Sequence, residues 1–191
     1  MTFEEIAKQV GNNTILSPQK AKVLYAQLIM TKDVLGAMAE VGVYKGGTAK
    51  IMRLAMPGKV LHLYDTFTGV VASNPTIDVH KDGEFGDTDA AKVLALVGCD
   101  ETSYHIGMFP DTFNESGPFS FVHSDTDTYF GTKESLAKFA PLLSVGGKMI
   151  LDDYEWANCP GVKKAVVEWL MMNTLPFDGE IFPNQYILTR L

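Results

Sequence analysis

The chain has 191 residues, 46% of them hydrophobic, enough to bury a sizeable core within one ordinary domain. Its 16 Lys and Arg against 23 Asp and Glu give a formal charge of -7, which disfavours phosphate backbones and anionic lipid surfaces, so neither nucleic acid nor a membrane is an expected partner. No run reaches the roughly 18 to 20 apolar residues of a membrane span, and Met1 to Glu5 carry no basic-then-apolar leader, so a soluble cytoplasmic protein is expected.

Ser17-Pro18 reads as a helix N-cap followed by proline at the first helical position, and Leu24, Leu28 and Ile29 recur at helical spacing, so residues 1–34 are expected to be N-terminal helices. From Ala37 onward strand-like and helical stretches alternate. Strand Ala37 to Val43 is followed by helix Gly47 to Ala55, strand Lys59 to Tyr64, helix Thr88 to Val97 and strand Ser103 to Ile106. Strand Phe119 to Ser124, helix Thr132 to Leu142, strand Lys148 to Leu151 and helix Gly161 to Met171 continue the series. Such alternation predicts an α/β fold, a parallel sheet with helices on both faces, formed by residues 35–191 within a single domain. Leu136, Phe139, Ala140 and Leu143 share one helical face, as do Val162, Val166, Trp169 and Leu170, and both stripes are expected to be core.

The ending differs. Gly179 to Phe182 and Gln185 to Leu191 flank Pro183-Asn184, a turn dipeptide, which predicts a closing antiparallel hairpin. One long stretch, Gly69 to Asp87, lacks periodicity and reads as a lid or binding loop. Cys99 and Cys159 show no metal-ligand spacing and are expected to be unpaired thiols.

Chemistry gathers at strand ends. Glu40-Val41-Gly42-Val43-Tyr44-Lys45-Gly46-Gly47-Thr48 is an acidic strand end running into a glycine-rich turn, where missing Cβ atoms allow a ligand close to the backbone. The glycines do not fit Gly-x-Gly-x-x-Gly, so a pyrophosphate cradle is disfavoured. Asp65 ends the next strand about 20 positions on, where a carboxylate accepts from both hydroxyls of a ribose. Asp125, Asp152 and Asp153 end two further strands; brought to one sheet edge they would repel one another, and Mg²⁺ relieves such repulsion with the oxygen ligands it prefers. Two general bases are candidates: His80, in the long loop, and Asp127, two residues past the first metal acid. His62, His105 and His123 fall inside predicted strands and are expected to be satisfied structural histidines.

Taken jointly, Glu40-Val-Gly-Val-Tyr-Lys-Gly-Gly, Tyr64-Asp-Thr-Phe-Thr-Gly, Gly83-Glu-Phe-Gly-Asp-Thr, Gly107-Met-Phe-Pro-Asp-Thr, Val122-His-Ser-Asp-Thr-Asp-Thr-Tyr, Ile150-Leu-Asp-Asp-Tyr and Cys159-Pro-Gly-Val-Lys-Lys-Ala-Val resemble the macrocin O-methyltransferase family, over roughly residues 35 to 190. The resemblance implies a Rossmann-like class I methyltransferase fold with a mostly parallel seven-stranded sheet. It implies an S-adenosylmethionine-dependent, Mg²⁺-dependent O-methyltransferase whose acceptor is a small-molecule hydroxyl, a sugar or other vicinal diol. Glu40, Gly42, Tyr44, Gly46, Gly47, Thr48, Asp65 and Thr66 match its cofactor-binding positions, and Asp125, Asp152 and Asp153 its metal ligands. Homo-oligomer formation is left open. The chain departs from the family in having little before its first strand, and in Ser124 and Thr126 where apolar residues are usual.

Two rivals stand beside this reading. A protein that binds S-adenosylmethionine without catalysis would keep the nucleoside motifs and lose the metal acids, which are present here. A Mg²⁺-dependent phosphatase of the haloacid-dehalogenase type would begin at Asp125-Thr126-Asp127, but Tyr129 stands where that motif requires Thr or Val.

Overall fold

In the computed structural model, which describes residues 1–191, every strand expected from the sequence joins one seven-stranded sheet. Helices α1 (Phe3–Val10) and α2 (Pro18–Met30) lead into β1 (Ala37–Val41), α3 (Gly47–Ala55), β2 (Leu61–Asp65), α4 (Ala90–Val97), β3 (Thr102–Ile106) and β4 (Phe119–Ser124). Then follow α5 (Tyr129–Phe139), β5 (Leu143–Asp152), α6 (Pro160–Met172), β6 (Phe177–Phe182) and β7 (Gln185–Arg190). The order across the sheet is β3-β2-β1-β4-β5-β7-β6; the first five strands are mutually parallel, and β7 runs antiparallel to both β5 and β6. The expected parallel sheet with a closing antiparallel hairpin is therefore present. The hairpin's second strand lies inside the sheet, leaving β6 at the edge.

Alternation of side chains along the strands divides the core in two. Met38, Leu61, Leu63, Phe121 and Ile150 pack with Ile6 and Leu24 of the N-terminal helices and with Ile51, Met52 and Val93 of α3 and α4. Ala39, Tyr64, Val122, Met149 and Leu151 face the other way, against Leu136, Phe139, Val162 and Val166 of α5 and α6. Leu170 corrects the second predicted stripe: it is 38% exposed, because at 100° per residue it lies about 80° round the helix from Val162. Helix α5 starts at Tyr129 rather than Thr132, since the Thr128 hydroxyl accepts from Gly131 N at 3.2 Å and caps it there. No helix is long and apolar enough to cross a membrane.

Strand order reverses between β1 and β4, the point where open α/β sheets present a crevice beyond their carboxyl ends. Here the two chains come unusually close. Asp125 N donates to Val41 O at 2.8 Å, and Gly42, at φ 84°, lies so near that a Cβ on it would overlap the Asp125 carbonyl. The glycine is what lets the Asp125 turn settle beside the end of β1.

Candidate functional site

Beyond this crevice lies a cavity of about 470 Å³, in the usual range for a small-molecule site. Its walls include Gly42, Tyr44, Gly47, Thr48, Asp65 and Thr66 together with His80, Asp125, Asp127, Asp152 and Asp153. Two residues matched to cofactor positions are not on the wall: Glu40 and Gly46. Gly46, at φ 81°, is the left-handed N-cap of α3, and Glu40 is 1% exposed beneath the strand end.

The acids converge. One carboxylate oxygen each from Asp125, Asp152 and Asp153 lies within 4.8 Å of the others, although two come from β5 and its end and one from the turn after β4. Burial, then the charge of Asp152, raises the pKa of Asp125 well above the carboxylate range. Burial and the charge of Asp153 push Asp152 up to about 6, against the opposing pull of Lys20. Asp153 sits at φ 58° and Asp127 at φ 59°, a left-handed backbone uncommon outside glycine, so two of the cavity's acids are held at a local conformational cost.

Sequence reasoning missed the cation beside them. Lys20, on the first turn of α2, donates from Nζ to Asp152 Oδ2 at 2.7 Å and also to Asp153. Burial alone would lower its pKa, but the two carboxylates outweigh that and raise it, so the ammonium is fixed in its charged form. Nothing in the local sequence marks Lys20; the docking of α2 in the core with α3 and the sheet brings it to the end of β5. Gln185 was missed too. Fully buried at the start of β7, it donates from Nε2 to Asp152 Oδ1 at 2.6 Å.

Behind this layer a polar pair runs under the sheet end. His123 Nδ1 meets Glu40 Oε1 at 3.0 Å, and His123 Nε2, which has no hydrogen-bond partner, stands 4.0 Å from Asp152 Oδ1. Burial raises the pKa of Glu40. His123 thus corrects the expectation of a satisfied strand histidine, because one ring nitrogen faces the acid cluster without a bond.

His80 and Asp127, the two base candidates, are neighbours. Their ligating atoms and the Cys159 sulfur lie within 4.8 Å of one another, and Cys159 Sγ donates to Asp127 Oδ1 at 3.5 Å. Burial and the charge of Asp153 push Asp127 up to about 7, partly offset by His80. His80 Nδ1 is held by Glu84 Oε2 at 2.6 Å. The long loop that carries it has no helix or strand but is closed on itself: Val70 N donates to Glu84 O at 2.8 Å, and Ser73 N to Asp82 Oδ1 at 2.8 Å. Asp78 ties it down, its Oδ1 accepting from Tyr129 N at 2.8 Å at the start of α5.

Asp65 braces the glycine turn. Its Oδ2 accepts from Val43 N at 2.6 Å and Tyr44 N at 2.9 Å, and its Oδ1 from Phe67 N at 2.6 Å. A carboxylate has about four acceptor positions, so one remains for a ligand hydroxyl.

Residues 19–178 match the family described as Macrocin-O-methyltransferase (TylF). Demethyldecarbamoylnovobiocin O-methyltransferase of Streptomyces niveus is 28% identical over 166 residues, 74% of this chain and 60% of that protein. The chain spans no more than 60% of the length of the curated relatives it matches. The solved structure of the O-methyltransferase NovP shares 20% identity and superposes with a TM-score of 0.78, covering 98% of this chain and 88% of that one. The MycE methyltransferase from the mycinamycin biosynthetic pathway, solved in complex with Mg and SAH, gives a TM-score of 0.64 at 14% identity, over 98% of this chain and 54% of that one. Both structures share the class I methyltransferase fold seen here.

Proposed function

Because the chain belongs to the macrocin-O-methyltransferase family, we propose that it transfers a methyl group from S-adenosylmethionine to a hydroxyl of a small molecule bearing vicinal oxygens, a sugar or similar diol, with Mg²⁺ held by Asp125, Asp152 and Asp153. The observation that carries this reading is the gathering of three carboxylates within 4.8 Å on the wall of a ligand-sized cavity. Three hard oxygen donors, two of them already drawn to a cation, are the donor set Mg²⁺ takes.

Bound Mg²⁺ supplies the charge that lowers the pKa of an acceptor hydroxyl, and S-adenosylmethionine supplies the methyl group. This chain's residues do the rest. Asp65 and the Gly42 to Thr48 turn hold the nucleoside, Asp65 through its remaining acceptor position. Asp127, raised to about 7, is matched to working pH for holding the proton that the hydroxyl gives up, and His80 beside it is the alternative base. The Asp78 anchor holds the His80 loop against the start of α5, with His80 on the cavity wall.

One observation favours a second reading. The Lys20 ammonium already offsets part of the charge of Asp152 and Asp153, which favours a form without metal that binds S-adenosylmethionine but does not activate an acceptor. Calorimetry separates the two. Under the methyltransferase reading, S-adenosylhomocysteine binds and Mg²⁺ binds with it, and labelled methyl passes from S-adenosylmethionine to a diol-containing sugar panel only when Mg²⁺ is present. Binding of S-adenosylhomocysteine with no Mg²⁺ heat and no transfer leaves the second reading standing.

A further inference from the structure

On the outer part of the sheet a second cluster stands apart from the cavity: His62 of β2, His105 of β3 and Glu115 in the segment between β3 and β4, none of which lines the cavity wall. The parallel register pairs Tyr64 with His105 and His62 with Ser103, which puts both imidazoles on one face of neighbouring strands. His62 Nδ1 and His105 Nε2 are 3.0 Å apart. Glu115 Oε1 lies 3.5 Å from the first and 3.9 Å from the second.

As a protein-only network this cluster holds a single hydrogen bond, between the two ring nitrogens, and the carboxylate stands at or beyond the limit of a hydrogen bond to each ring. A triangle with those three sides has a centre about 2.0 Å from every corner, which is the Zn–N and Zn–O bond length. We propose that His62, His105 and Glu115 form a binding site for a borderline divalent transition metal, Zn²⁺ in the first instance, distinct from the carboxylate site.

The donor set separates the two sites chemically. Imidazole suits Zn²⁺, whereas three carboxylates suit Mg²⁺. Burial lowers the pKa of both histidines, which keeps them in the neutral form that ligates. Three protein ligands leave a fourth position, and the side chains, 11%, 14% and 29% exposed, leave a path from solvent to fill it. Such an ion would tie the β3–β4 segment to the sheet. That segment begins with Gly107, Met108 and Phe109 of the cavity wall, and Phe109 packs on Tyr64, itself stacked on His105 at 4.3 Å. The site is therefore a clamp on one side of the ligand cavity, and it stands whether or not the chain is a methyltransferase.

The test uses the full chain with Mg²⁺ in excess, titrated with Zn²⁺ by calorimetry and with Co²⁺ by absorption spectroscopy. One equivalent of Zn²⁺ binds, and His105→Gln and Glu115→Gln each weaken it at least about 10-fold, while Asp152→Asn leaves it unchanged. Glu115→Gln is partly exposed and nearly isosteric, so a melting curve matching the parent shows that its loss of metal is not a loss of fold. The proposal is overturned if Zn²⁺ fails to bind at micromolar concentration, or if both variants bind as the parent does. It is equally overturned if Co²⁺ shows a thiolate charge-transfer band, which assigns the ion to a site at Cys99 or Cys159.

Discussion

Lys20 Nζ bonds Asp152 Oδ2 at 2.7 Å and reaches Asp153 as well, joining the N-terminal helix α2 to the end of β5 across 132 residues of chain. The ammonium sits between two of the three carboxylates proposed to hold Mg²⁺. On that proposal lysine and Mg²⁺ compete for the same oxygens, and loading would require the side chain to withdraw.

Replacing the lysine exposes the competition. Lys20→Met leaves buried acids without their partner, so in the presence of chelator the protein loses roughly 3 kcal/mol of stability at pH 8. Added Mg²⁺ then restores more stability than it confers on the parent, and its affinity rises about 10-fold. Melting curves and calorimetry read both effects; an unchanged Mg²⁺ affinity would show that Lys20 stands outside the ion's place.

Removing a metal acid has a different signature. Asp152→Asn should lower turnover at least about 100-fold and abolish the Mg²⁺ heat, since charge stabilisation at the acceptor oxygen is the term lost. Affinity for S-adenosylhomocysteine should stay within about 3-fold, because the Asp65 carboxylate and the glycine turn bond each other and not Asp152, whose partners are Lys20 and Gln185. Turnover that survives chelation of all divalent metal sinks the role assigned to the three acids.

The base is assigned by comparing two variants. With Asp127 as base, Asp127→Asn lowers kcat by about 100- to 10,000-fold and removes the acidic limb of the pH–rate profile, whereas His80→Gln changes kcat by less than about 10-fold. The reverse pattern gives the proton to His80. Both profiles are measured at saturating substrate, so that kcat and KM separate.

Stability should fall as pH rises in the metal-free protein. Asp127 and Asp152 titrate at about 7 and about 6 when folded, above the usual carboxylate value near 4 in the unfolded chain, so the folded state holds more protons between those limits. The stabilising contribution of the protonated acids is complete below about pH 4 and is lost as pH climbs through 6 and 7. In chelator the melting temperature therefore drops from pH 5 to pH 8, and Mg²⁺ flattens the drop by supplying the charge that protons supplied. A melting temperature that rises over this range in chelator contradicts the crowding of these acids.

Local rules carried much of this protein. Helix α3 over Gly47–Ala55 and strand β4 over Phe119–Ser124 lie where periodicity put them, because a buried stripe at period 3.6 or a continuous apolar run is written in neighbouring residues. The Pro18 helix start and the Asn184 turn were likewise legible, each resting on the chemistry of a few adjacent atoms. The strand-end acids were visible as types and positions, since carboxyl edges of parallel strands must meet at the switch point. What tertiary packing alone decided is which charges face them. Lys20, Gln185 and His123 come to Asp152 from three separate elements, and Glu40 is turned beneath the strand end to meet His123 instead of reaching the cavity. Coulomb interaction acts through space rather than along the chain, so the partner of a buried carboxylate is fixed only once helices and strands have docked.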